Sequence, residues 1–403
     1  MLVRLRWLLE LAITFVRDAA AATSNAWNQF WFTPADPTTL CLIRVLAGLM
    51  LFYTHAVWTL DLEAFFGEQS WLSREVIAQA NQDGYSWSVL SWCRSSTTLW
   101  TMHIVALTTF ALLTVGLWTR AAAVLAFVFT VSYAQRTPGA LYGLDQINGL
   151  LSLYLMIGPC GSRFSVDAWR VRRVARNVAR LSESSQIGPA TRLGEAVILG
   201  VAEVVRLQNS PRKLNSHEFS YVGTRLGESS DVTANLAIRL MQCHLCVIYL
   251  FAGLSKLQGL SWWTGFAFWG GIANQEYQTL DLTWLADWPL VINALTHLTV
   301  VFELSYCVLI WNRWTSPLVL LVAVGLHLGI VFALGMPTFG LAMLIANVSF
   351  ISPSLIRTLI DGPAFRSAGG PPAFVQQTPA ASSPATPHFS RQKKRDAEFH
   401  SPG

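Results

Sequence analysis

The chain has 403 residues, 53% of them hydrophobic and only 13% charged, with a mean hydropathy of +0.41. A soluble domain draws about a quarter of its residues from the charged set, so there are too few charges here for a water-facing surface, which excludes a conventional cytosolic enzyme, a disordered protein and a nucleic-acid-binding protein. The net charge of +5 comes almost wholly from arginine, 24 Arg against 4 Lys, and the seventeen tryptophans suit two membrane interfaces, where indole rings rest at headgroup depth.

Residues 1–38 begin with Arg4 and Arg6 ahead of the apolar run Trp7–Val16. Glu10 interrupts that run and Arg17 closes it. This pattern reads as an interfacial amphipathic segment rather than a cleaved leader. A membrane span needs about 20 mostly apolar residues. Eight stretches approach that: Thr39–Leu60, Leu99–Leu117, Ala121–Gln135, Ile147–Cys160, Asn235–Leu257, Trp288–Ile310, Pro317–Leu334 and Thr338–Ile351. The third, fourth and eighth are short. The expected fold is an all-α polytopic membrane protein of about eight transmembrane helices, its membrane domain covering 39–353. The connecting segment 161–234 carries Arg170, Arg172, Arg173, Arg176 and Arg180 around an apolar face of Val171, Val174, Val178 and Leu181, a basic amphipathic helix suited to an anionic leaflet. Its stretch Ala196–Val205 contains Glu203 and is too short to span. Residues 354–403, rich in Pro, Ala and Ser toward their end, read as a disordered cytoplasmic tail.

The basic residues give the orientation. With the N-terminus cytoplasmic, 22 Lys and Arg fall in cytoplasmic segments and 3 (Arg74, Arg94, Arg136) in outer ones. Positive charge collects on the cytoplasmic side, so the expectation is a cell-membrane protein with both termini inside. The six cysteines form no disulfide framework. Cys243 and Cys246, a lone CxxC, read as small apolar residues one turn apart, since no partner pair accompanies them; no metal is expected.

Ionisable groups at membrane depth are costly there and mark the candidate site. Arg44, Arg239 and Glu303 read as structural buried charges, with Glu303 the obvious mate for Arg44. His103 reads as interfacial. Lys256 ends the fifth span and is the one lysine outside the cytoplasmic segments. Tyr249, Gly253 and Lys256 share a helix face. Gly253 reads as an opening beside the amine, and Trp262 and Trp263 follow as walls. An apolar, aromatic setting favours the neutral amine, which can act as a general base. A snorkelling interfacial lysine fits the spacing equally well. Asp145 and His327 are the candidates to orient groups or relay protons.

Four stretches resemble the HTTM (horizontally transferred transmembrane) domain, which is related to the membrane domain of vitamin K-dependent gamma-carboxylase. They are Leu42–Gly48, Arg163–Asp167, Tyr249–Leu257 with the Trp262–Gly265 stretch after it, and the helix pair around Glu303 and His327. The likeness spans roughly residues 35–353. It implies an enzyme in which Lys256 deprotonates a reduced, vitamin K-like quinone; oxygen then adds, the epoxide forms, and the strong base so generated takes a γ-proton from a peptide glutamate. It thus implies a reduced quinone as cofactor, and membrane lipids, a quinone-like molecule and a peptide glutamate as partners. The carboxylase has a histidine about twenty residues before its Ser-Val-Asp stretch, where this chain reads Leu141–Gln146. It also carries a large lumenal domain, whereas here only a short tail follows the spans. The quinone-handling half of the chemistry is therefore expected more than the carboxylating half. The alternatives are a non-enzymatic transporter, for which no inverted repeat is visible, and an assembly or anchoring protein that uses its basic segments.

Overall fold

The computed structural model describes residues 2–80, 87–183, 230–276 and 278–362. Among them the chain is all helix, with a single isolated bridge between Ala35 and Asp231. The α-helices in order are α1 Leu2–Phe32, α2 Thr38–Trp58, α3 Leu62–Phe66, α4 Arg74–Ala80, α5 Ser96–Val115, α6 Thr119–Arg136, α7 Gly143–Ile157, α8 Val166–Glu183, α9 Val232–Lys256, α10 Leu260–Trp263, α11 Ala267–Ile272, α12 Pro289–Leu309, α13 Ser316–Ala333, α14 Pro337–Asn347 and α15 Pro353–Asp361. A helix lies at each of the eight expected spans. Five of them (α2 with its continuation to Phe66, α5, α9, α12 and α13) are long and apolar enough to cross a membrane. The α14 region with α15, bent by 106°, is a sixth candidate. At 15 and 11 residues, α7 and α14 fall short of the length a span needs.

Local chemistry sets the helix ends. Ser95 and Thr98 form a reciprocal capping box at the start of α5. Asp231 caps α9 by accepting the Thr233 N–H at 2.6 Å. Proline opens α12, α13, α14 and α15, where its missing N–H costs nothing. The core joins Leu40, Ile43, Leu51, Phe110, Leu113, Leu155 and Tyr306. Outside it, Leu290, Leu298, Val301, Val308, Leu318, Leu321 and Phe332 are exposed. An apolar surface that broad is tolerable only against lipid, so this is a membrane protein.

One end of the bundle is held by a polar clasp. Arg44, 0% exposed, donates to the carbonyls of Leu113, Thr114 (2.9 Å), Cys160 (3.0 Å) and Phe164. The first two belong to the last turn of α5, whose carbonyls have no intrahelical donors. Gly116 ends α5 at φ 74°, in the left-handed region that glycine adopts without penalty. Trp118 and Phe164 hold positive φ without being glycine (49° and 52°). Asp167 accepts from the N–H groups of Trp118 (3.1 Å) and Thr119 (2.8 Å), capping α6. Two of the four resembling stretches, Leu42–Gly48 and Arg163–Asp167, therefore meet here, and their work is architectural.

Several expectations are corrected. Arg44 does not pair with Glu303; its partners are carbonyls. His103 is not interfacial but fully buried, with Thr59 Oγ1 at 2.9 Å and the Tyr133 hydroxyl at 2.7 Å. The tail is ordered at its start: α15 docks through Arg357–Asp36 (2.6 Å) and Arg163–Asp361 (2.8 Å). The rest of the tail and the Ala196–Val205 stretch lie outside the described residues. Among the described residues Arg239 has no acidic mate. Its guanidinium lies over Phe30 (4.6 Å) and Trp311 (5.8 Å) and donates to Gln242 Oε1 at 3.1 Å, fastening the end of α1 to α9. Most of α1 beyond that contact is exposed, as an interfacial helix requires. The basic amphipathic helix expected at Val166–Leu181 is α8.

Candidate functional site

At the end of the bundle away from the clasp, α9 packs on α12 more extensively than any other pair of elements. The last turn of α9 carries Lys256. Its ammonium donates to Glu303 Oε1 at 2.9 Å and lies 2.7 Å from Oε2, off the line of a second hydrogen bond. The Lys256 side chain is 21% exposed and that of Glu303 8%, so the carboxylate is the buried partner. Trp262 covers the pair, with Nζ 5.2 Å from its ring centre, close enough for a cation–π contact. The sequence expectation of a lone amine is thus corrected: Lys256 has a carboxylate partner in Glu303.

Gly253 does not open a space. A Cβ there would come 2.9 Å from Leu304 Cδ2 and 3.2 Å from Glu303 Cβ. Its missing side chain lets α12 approach, as small residues do between membrane helices, and so brings Glu303 under Lys256. Trp263 is not a wall either: it is exposed and its indole N–H donates to the Leu257 carbonyl at 2.7 Å, closing the end of α9.

One to two turns back along the same face, Tyr249 stacks on Tyr306 with ring centres 4.0 Å apart. Its hydroxyl accepts from Asn347 Nδ2 at 3.1 Å and lies 2.7 Å from His327 Nε2. Tyr306 donates to Asn347 Oδ1 at 2.8 Å, and Asn347 Nδ2 also reaches the Met343 carbonyl at 2.9 Å. The Tyr249 hydroxyl and Nε2 share a hydrogen bond whose donor is set by the tautomer of the ring. The other ring nitrogen, His327 Nδ1, is buried with no hydrogen-bond partner among the described residues. The arrangement is a lysine–carboxylate ion pair above a buried hydroxyl–imidazole–amide network.

Lys256, Tyr249, Gly253, Trp262, Glu303 and His327 come together, then, as α9, α12, α13 and the segment after α9 converge. Asp145 sits elsewhere. It begins α7, takes the Tyr142 N–H on Oδ2 at 3.1 Å, and no described contact links it to Lys256. Arg44 and Arg239 belong to the opposite end. Tyr306 and Asn347 escaped the sequence reading. Tyr306 is three residues after Glu303 and shares its face, a usable signal. Asn347 is the amide in the apolar run of the last span and carries no charge to draw notice. A cavity of about 460 Å³ lies at this end, bounded by Tyr142, Gly271 and the α13–α14 turn Leu334–Thr338. Among the described residues no three His, Cys, Asp or Glu side chains gather as a metal site. No family model matches the chain, and neither a curated protein nor a solved structure does.

Proposed function

We propose that the chain is an HTTM-type multi-pass membrane enzyme, akin to the membrane domain of vitamin K-dependent gamma-carboxylase, that takes a proton from a reduced quinone-like lipid at its outer face. The observation that carries this reading is the Lys256–Glu303 pair, set under Trp262 and above the Tyr249–His327 hydrogen bond. In this reading the shorter helices α6, α7 and α14 cross as part of the bundle beside the five long ones, and both termini are cytoplasmic, in keeping with 22 basic residues against 3.

The pair resolves how a salt-bridged lysine acts as a base. In an apolar setting, moving the proton from Lys256 to Glu303 removes both buried charges at once, so the neutral form of the pair is within reach. Lys256 Nζ then has a free lone pair for a hydroxyl proton, while Glu303 holds the proton it received. The aromatic face of Trp262 suits a flat ring, and the unpartnered Nδ1 of His327 is free to hydrogen-bond to a ring hydroxyl. The residues present thus fit a reduced quinone. When bound, that group supplies an acidic hydroxyl and two electrons, and its oxidation by dioxygen gives a quinone epoxide and water. The proposal stops at quinone chemistry.

The test is quinone retention. Protein purified from its native membrane should carry a lipid quinone, detected by solvent extraction and mass spectrometry, and Trp262→Ala should lose most of it. Absence of any quinone from the wild-type preparation, together with no binding of added quinone, would end the reading.

A further inference from the structure

We propose that the cavity between α2, α6 and α7 is a binding site for a small organic ammonium ion. The cavity measures about 210 Å³. That is room enough for a small organic molecule, since one water needs only about 10–15 Å³ on this measure. Four aromatic side chains line it: Tyr53 and Trp58 from α2, Tyr133 from α6, and Tyr142 just before α7. Asp145 is its one carboxylate, and no Lys or Arg is among the lining residues. This inference is independent of the role given to Lys256.

Three of the lining residues, Asp145, His55 and Asn148, present acceptor atoms toward which a donor or a positive charge would be drawn. Asp145 Oδ2 takes the Tyr142 N–H, while Oδ1 has no described partner. His55 and Asn148, 5% and 4% exposed, also line the cavity, and each leaves a buried atom, His55 Nε2 and Asn148 Oδ1, without a partner. The His55 Nδ1 lies 2.7 Å from the Leu51 carbonyl. A carbonyl only accepts, so Nδ1 carries the hydrogen and Nε2 of the neutral ring is a lone pair. An anion would meet Asp145 with no cation to offset it. A neutral apolar guest would strip water from the carboxylate and return nothing. An ammonium instead meets both an opposite charge and aromatic faces, the combination that recognises alkylated amines. The nearest arginine in sequence, Arg136, is turned away, toward the Gly67 carbonyl at 3.1 Å and Ser70 Oγ at 3.0 Å.

Choline has seven heavy atoms and serves as the probe, with its neutral isostere 3,3-dimethylbutan-1-ol as control. The full-length protein, in a detergent without ammonium groups, is titrated with choline by calorimetry and thermal denaturation. Choline should bind and raise the melting temperature, and the isostere should not. Asp145→Asn keeps a carbonyl oxygen for the Tyr142 N–H and should weaken binding at least about tenfold. Tyr53→Ala, at a half-exposed position, should weaken it too, while Tyr53→Phe retains it. A parallel titration in nanodiscs identifies the source. If choline binds in phosphatidylglycerol discs but not in phosphatidylcholine discs, the lipid headgroup occupies the site; if it binds in both, the ligand is the free amine. Equal binding of choline and its isostere, or no choline binding in either detergent or phosphatidylglycerol discs, overturns the proposal.

Discussion

Arg44→Lys should lower the stability of the protein by at least about 3 kcal/mol, and Arg44→Met by more. Four carbonyls, two of them in fully buried bonds, share this one guanidinium, and each buried polar group left unsatisfied costs about 1–3 kcal/mol. Two of these carbonyls, on Leu113 and Thr114, are end-of-helix groups with no other donor supplied by helix geometry. The same side chain braces Phe164, whose positive φ stores about 1–3 kcal/mol. Lysine cannot replace the planar fork, because its ammonium is a single point with three donors. Thermal denaturation of the detergent-solubilised variants reads the loss directly. Wild-type stability in Arg44→Lys would mean that the clasp is incidental.

The second large effect lies at the other end of the bundle. Lys256→Met leaves the Glu303 carboxylate buried and unpaired, and Glu303→Leu does the same to the ammonium. Breaking one side of a buried pair costs about 3–5 kcal/mol. Glu303→Leu should be somewhat milder than Lys256→Met, because the Lys256 side chain is 21% exposed and can reach water. The double variant Lys256→Met/Glu303→Leu should recover most of the loss, since apolar residues of similar volume replace the pair. A thermal-stability double-mutant cycle measures the coupling. Additive losses would show that the two residues do not interact.

How far the sequence carried depended on which physical signal each element left. Eight apolar runs marked eight helices, because every backbone group in a bilayer must be satisfied within a helix or a barrel. Lys256 stood out by rarity, and Tyr249 and Gly253 by helical spacing from it. Pairing was not legible. Arg44 and Glu303 looked complementary because both are charged at membrane depth, yet Arg44 found carbonyls from α5 and the α7–α8 loop, and Glu303 found Lys256. Carbonyl acceptors belong to every residue and leave no mark in a sequence. Gly253 was read as a void beside an amine, where the structure uses it for close contact; a glycine alone cannot say which. Asp145 drew notice as a charge in an apolar run, but its neighbours His55, Tyr133 and Asn148 come from three helices, and only their packing reveals the cavity they share.

The proton-transfer reading of Lys256 turns on a substitution that keeps the ion pair and removes the base. Arg44 and the clasp are untouched by it, and a guanidinium at position 256 can still hold Glu303. A guanidinium stays protonated, so it cannot accept a hydroxyl proton at neutral pH. The measurement is oxygen consumption driven by a reduced quinone, on Lys256→Arg protein shown by thermal denaturation to be folded. Wild-type protein should consume oxygen with quinol as the electron source, and Lys256→Arg should bind the quinol yet lose nearly all turnover. Full turnover in Lys256→Arg would contradict the role of Lys256 as the base and leave the pair as a fastening between α9 and α12.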